Sequence, residues 1–218
     1  MSIKSEVQGF DISENSAVII GCGGLGTNVA THLAGAGIGK LLLVDFDCVE
    51  KRNLNRQFFY TEADIGKPKC ELLAERLSAY APDCKVDCLY RKIDDVSFAD
   101  GYDIVIIAVD NIETRKSVSC YCAENKIPCI NGSINGFFGT AYMYIPDKTP
   151  DLEKAGCLNE ANVKNQSPSV TAGIIGTLEA KLAIDYFLGK NDSAGRLYIY
   201  DNNEIHSLLI RSDERDKL

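Results

Sequence analysis

The stretch that most constrains this chain is "AVIIGCGGLG", Ala17 to Gly26. A short β-branched run stops at glycine, and a glycine-rich loop comes next. "GLGTNVATHLAGAG" then carries small and apolar residues at helical spacing and stops near Gly37. "KLLLVD", Lys40 to Asp45, reads as a second buried strand. Strand, loop, helix and strand make one parallel βαβ unit with a right-handed crossover. Gly21 permits the tight turn, Gly23 lets backbone approach a phosphate, and Gly26 lets helix pack on strand. With Gly24 beside them, the free amides of the helix N-terminus await an anion. NAD is one candidate for it, and another nucleotide phosphate is the other.

The remaining pattern extends this unit into a doubly wound, mainly parallel α/β sheet. "KPKCELLAERLSAYAP" reads as a helix, "KVDCLYRKI" as a strand, "YDIVIIAVD" as the clearest buried strand, "IETRKSVSCYCAENK" as a helix and "IPCINGS" as a strand. The parallel pattern then ends. "GTAYMYI" alternates as an antiparallel strand would, and "RLYIYDN" with "EIHSLLIRS" forms a terminal hairpin turning at Asn202–Asn203. Between them lies a helix, "SPSVTAGIIGTLEAKLAIDYFLGK", with Ser167 as N-cap and Pro168 at its first position. Residues 146–166, poor in apolar side chains, are expected to be a mobile loop. The whole chain, 1–218, is expected to be one domain, since 218 residues at 45% hydrophobic and 25% charged suit one α/β core.

A formal net charge of −8 argues against nucleic acid or an anionic membrane as the main partner. No apolar run approaches the roughly 20 residues of a membrane helix. Nine cysteines, an odd number, without a signal-like N-terminal segment read as free thiols in a reducing cytoplasm.

Asp45 ends the second strand about 20 residues after the loop, where a carboxylate accepts ribose hydroxyls of NAD or ATP alike. Asp47 is a turn residue or a second ribose contact. "NLNRQ", Asn53 to Gln57, and "DIGKPK", Asp64 to Lys69, separate the two nucleotides. A triphosphate needs more cations than a pyrophosphate held by helix amides. Arg56 offers a planar fork for phosphate oxygens, or a surface ion pair. Lys69 could reach the same phosphates, or be a solvated helix lysine. Asp110 closes the strongest strand, in the crevice where open α/β sheets bind ligands. It could hold Mg²⁺ with phosphate oxygens, or cap the next helix, with Asn111 as cap or nucleotide contact.

These motifs together, G-x-G-G-x-G, D-x-D, N-L-x-R-Q and D-I-G-x-x-K, with "VDNIETR", "GFFGTAYMYIP" and "GIIGTLEAKLAIDYFLG", resemble the ThiF/MoeB family, relatives of the ubiquitin-activating enzymes. The resemblance implies ATP-dependent adenylation of a carboxylate, usually the C-terminal glycine of a small ubiquitin-like sulfur carrier. It implies phosphate at Gly21–Gly26, ribose at Asp45, triphosphate along Asn53, Arg56, Gln57 and Lys69, and Mg²⁺ at Asp110. It also implies a homodimer.

Three family features are missing. The tail before Gly21 has no arginine to reach a neighbouring subunit's site, its only cation being Lys4. Neither C-x-x-C pair of a structural zinc site is present, so no zinc is expected. Some relatives use a loop cysteine covalently; here only Cys157 stands in that loop, as a nucleophile or as a bystander. An NAD-dependent oxidoreductase would leave Arg56, Lys69 and Asp110 idle. A small-molecule carboxylate as acceptor, or a nucleotide-binding protein that has lost catalysis, are the other rivals.

Overall fold

The computed structural model describes residues 9–93, 97–158, 167–201 and 204–211. The expected turn at Asn202–Asn203, the end of the loop at 159–166 and the two chain ends lie outside them. The first half supplies β1 (Ser16–Ile20), α1 (Gly24–Gly35), β2 (Lys40–Asp45), α2 (Lys69–Tyr80), β3 (Lys85–Tyr90) and β4 (Ile104–Ile107). Then come α3 (Ile112–Glu124), β5 (Cys129–Asn135), β6 (Phe138–Tyr144), α4 (Ser169–Phe187), β7 (Arg196–Asp201) and β8 (Glu204–Leu209). The strands form one eight-stranded sheet in the order β3-β2-β1-β4-β5-β6-β7-β8. Pairings from β3 to β5 are parallel, and those from β5 to β8 are antiparallel.

The central strands are apolar on both sides because helices cover both faces. Every residue of β4 is buried, as are all of β1 after Ser16. Ile19, Leu41, Leu43 and Ile106 pack under α1, α2 and α4. Val18, Val44, Val105 and Ile107 pack under α3 on the opposite face. The chain therefore reverses direction across the sheet between β1 and β4. The two strands diverge in their connections there, and a crevice opens at their carboxyl ends.

Two local expectations are corrected. α4 begins at Ser169 with Pro168 as its cap, one residue later than expected, and Ser167 is buried instead of capping. Residues 146–158 form packed turns: Leu152 is wholly buried, with Ala155, Cys157 and Leu158 beside it, because they pack with Cys129, Tyr142 and Tyr144 of β5 and β6 on the α3 face of the sheet. No helix of the described residues is long and apolar enough to cross a membrane.

Candidate active site

The crevice is a cleft of about 760 Å³. It gathers Gly21, Gly23, Gly24, Asp45, Asp47, Asn53, Arg56, Gln57, Lys69, Asp110 and Asn111 from four separate stretches of chain. Gly26 lies just below, in the first turn of α1. A Cβ on Gly26 would sit 1.8 Å from the Gly21 carbonyl oxygen, so that helix can start there only without a side chain. Gly21 has φ +97°, and a Cβ there would meet the Ala108 carbonyl oxygen at 2.6 Å. β1 thus turns sharply against β4, which leaves the first amides of α1 facing the cleft. α1 has no side-chain cap and no acidic residue in its first turn. The N-terminal partial charge is left for an incoming anion.

The loop is tied down from below. Asp45 accepts hydrogen bonds from the Cys22 amide at 2.6 Å and the Asp47 amide at 2.7 Å. Burial raises its carboxyl above the usual range, against the pull of those two amides and of Lys69. Tyr60 donates its hydroxyl to the Cys22 carbonyl at 2.8 Å, with the Lys69 carbonyl 3.2 Å away. Asp64 locks the long connection after β2. It accepts from the Thr61 amide and hydroxyl and from Arg76 Nη2, at 2.7, 2.8 and 2.7 Å. These bonds hold its carboxyl at about 2.

Asp47 settles between its two readings in a third way: its Oδ2 accepts from Lys69 Nζ at 2.9 Å. The Lys69 side chain is only 4% exposed, so it is not a solvated helix lysine. Arg56 is half-buried and donates to Asn53 and Asn55 through long bonds of 3.4 and 3.3 Å, which leaves the guanidinium free to turn. Gln57 lies over the glycine loop, where a Cβ on Gly23 would meet its Nε2 at 3.4 Å. Its Oε1 is buried without a partner. Asn111 is the cap of α3, its Oδ1 accepting from the Thr114 amide at 2.7 Å. Asp110 is thereby released from capping, and it stands exposed at the cleft.

Cys157 is not brought to this cleft. It is buried under the sheet, and burial pushes its thiol up to about 12. A thiol held so high supplies almost no thiolate near neutral pH. The reading of Cys157 as an open-loop nucleophile is corrected on that ground. Sequence reasoning also passes over Arg52, Arg115, Ser133 and Asn135, which line the cleft, and Tyr60, which braces it. For Arg115 the one available signal is its place in "VDNIETR", close behind Asp110.

A family model described as the ThiF family matches residues 4–217. The chain belongs to the ThiF family. Among curated relatives, this ThiF-family chain is 33% identical over 213 residues to "Sulfur carrier protein ThiS adenylyltransferase" of Escherichia coli, covering 91% of this chain and 83% of that protein. It is 29% identical over 212 residues to "Molybdopterin-synthase adenylyltransferase" of Salmonella typhimurium, covering 89% and 84%. A solved structure of E. coli MccB with ATP superposes with a TM-score of 0.81 at 26% identity, over 93% of this chain and 66% of that one.

Proposed function

We propose that the protein is an ATP-dependent adenylyltransferase that activates the C-terminal glycine carboxylate of a ubiquitin-like sulfur carrier. One observation carries the reading. A single cleft joins a glycine loop and ribose-type carboxylate to two cations and an exposed aspartate on the far wall. An NAD site would use the first pair alone. The relatives whose names specify adenylyl transfer to a sulfur carrier support the same reading.

In this reaction an acceptor carboxylate oxygen bonds to the α-phosphorus of ATP. The bond from that phosphorus to the bridging oxygen breaks, and pyrophosphate leaves with the electron pair. No general base is required, since the acceptor is already ionised at neutral pH. The loop amides, Arg56 and Lys69 hold and neutralise the phosphates, and Asp45 orients the ribose. The donor set fits Mg²⁺, because Asp110 offers one exposed carboxylate, without a competing hydrogen bond among the described residues, beside phosphate oxygens. The ion would be held there and would neutralise phosphate charge.

We place the protein in the cytoplasm, which suits its nine free cysteines. We also infer a homodimer and one domain spanning 1–218. A groove along α4, with Phe58, Val170 and Ile205 at 60, 52 and 55% exposure, supports a second copy seated there. Sedimentation that stays monomeric at tens of micromolar would remove that part of the proposal.

The test is exchange of labelled pyrophosphate into ATP. Exchange that depends on a Gly-Gly-ended carrier supports the reading. Exchange that depends only on a small carboxylate or peptide favours a different acceptor, which the likeness to MccB, solved with MccA, gives some weight. ATP binding with no exchange for any acceptor would leave a nucleotide-binding protein without catalysis.

A further inference from the structure

The far wall of the cleft carries a positive charge that nothing among the described residues answers. Arg115, one turn into α3, is 7% exposed. Its Nη2 donates to the Val109 carbonyl at 2.8 Å, and its Nε is buried with no partner. It forms no ion pair among the described residues. Two acids lie within electrostatic reach, Glu179 and Asp110. Asp110 is exposed to water. Glu179, on α4, is wholly buried, and no hydrogen bond of good geometry reaches either carboxyl oxygen among the described residues. It reaches the sheet only because β5 carries a glycine opposite: a Cβ on Gly132 would come within 2.3 Å of its carboxyl carbon. Burial pushes the Glu179 carboxyl well above the carboxylate range, and Arg115 and the Gly132 amide offset this only in part. A carboxyl pushed in that direction cancels less of the guanidinium charge than an ordinary carboxylate would.

A buried, unpaired guanidinium costs several kcal/mol, which an entering anion recovers. The phosphates already have Arg56 and Lys69 on the opposite wall. Adenylation, however, must bring a second anion, the acceptor carboxylate, against a phosphate that repels it. A planar fork in the same cleft as Ser133, Asn135 and the glycine loop matches a carboxylate in geometry and charge. We propose that Arg115 is the receptor for the acceptor's carboxylate, holding it for attack on the nucleotide. This rests on the adenylation reaction proposed above. An ionised Glu179 would compete for the same guanidinium, and burial disfavours that form.

The test uses a ThiS-type sulfur carrier with a free C-terminal carboxylate and the same carrier C-terminally amidated. Binding of each to the full chain is measured by calorimetry, with ATP affinity and pyrophosphate exchange in parallel. The wild type is expected to favour the free acid by at least about tenfold, the cost of leaving a charged group unpaired. Arg115→Gln, which can still donate to the Val109 carbonyl, should bind acid and amide alike, with ATP affinity within about twofold of wild type. Arg115→Lys, which keeps the charge, should retain part of the preference. A wild type that binds both forms alike, or neither, overturns the proposal, as does a preference that survives in Arg115→Gln. Loss of ATP affinity in step with carrier affinity would show a structural clamp and would also overturn it. Acid preference lost in Arg115→Gln supports the receptor even without exchange, and in that case only the adenylation reading fails.

Discussion

The two walls of the cleft are built in opposite ways. On the glycine-loop wall most polar groups have partners before any ligand enters: Asp45 holds the Cys22 amide, Lys69 holds Asp47, and Tyr60 holds the Cys22 carbonyl. Gln57 Oε1 is one exception, and Thr171 Oγ1, next to the Ala172 that packs on Gly24, is another. On the α3 wall Arg115 Nε is buried without a partner among the described residues, and deeper in the fold the Asn131 amide on β5 and the Glu179 carboxyl on α4 are buried without partners too. A paired wall is preorganised for one invariant ligand, and ATP is always the same molecule. An unpaired wall gains most from what binds it and discriminates against ligands that fail to pair. That is the behaviour an enzyme needs toward its acceptor.

The largest expected effect breaks the comparison at the chemistry. Arg56→Ala removes a mobile cation from the transferring phosphates, and Asp110→Ala removes the carboxylate across from it. Each should lower the exchange rate by about 10²–10³-fold, the usual cost of one lost charge-stabilising contact. ATP affinity should change far less in Asp110→Ala than in Arg56→Ala. Full exchange in both variants would sink the assigned roles.

The next effect tests whether the glycine-loop wall is rigid by construction. Gly26→Ala forces a Cβ to 1.8 Å from the Gly21 carbonyl, so α1 must shift off the loop. Denaturant unfolding should show a loss of about 3 kcal/mol or more. ATP affinity should fall with it, because the amides move. A variant of unchanged stability would mean that the loop has slack.

A smaller, asymmetric pair sharpens the point. Lys69 is 4% exposed in its side chain and Asp47 is 52% exposed. Asp47→Ala leaves a buried ammonium unpaired and should cost about 2 kcal/mol, less than a fully buried pair because water can enter where Asp47 stood. Lys69→Met leaves Asp47 to water and also removes a cation that helps hold down the buried Asp45 carboxyl, but Asp45 keeps the Cys22 and Asp47 amides, so the cost should be smaller, about 1 kcal/mol. Equal losses in thermal unfolding would show that the pair is not the one-sided brace the geometry implies.

The two walls also differ in how far the sequence reveals them. The glycine loop, Asp45, Asn53–Gln57 and Lys69 are legible because each is a short pattern fixed to the end of a strand or the start of a helix, where backbone geometry decides the role. The sheet order follows from buried β-branched runs alternating with helical spacing, and the antiparallel extension from the alternation of β6. Arg115 and Glu179 are not legible. Both sit inside helices at positions that look ordinary in sequence, and an arginine in a helix reads as solvated until its packing is known. Here β4 ends at Ile107 while β5 continues to Asn135, and that mismatch places a polar pocket beside the crevice. The 146–158 segment is hard to read for a related reason. Its apolar residues are few, but Leu152 and Cys157 join Val118 and Cys122 of α3 over Cys129, Tyr142 and Tyr144 of the sheet.

The gentlest test asks whether the unpaired wall really holds a neutral acid. Burial raises the Glu179 carboxyl well above its unfolded value. Between the ordinary carboxylate range and that raised value, the unfolded chain has lost the proton and the folded chain keeps it. The unfolded state then binds fewer protons, so the stability contributed by the protonated acid is full below the unfolded value and is lost as pH rises above it. Glu179→Gln keeps the shape and removes the titration. Near pH 4 the variant and wild type should melt alike, and the variant should become progressively the more stable as pH rises above the ordinary carboxylate range. If Glu179 were instead ionised and paired with Arg115, the glutamine variant would lose stability, and more of it at high pH. The sign of the difference in melting temperature against pH therefore tells a wall that waits for an anion from one already neutralised from within.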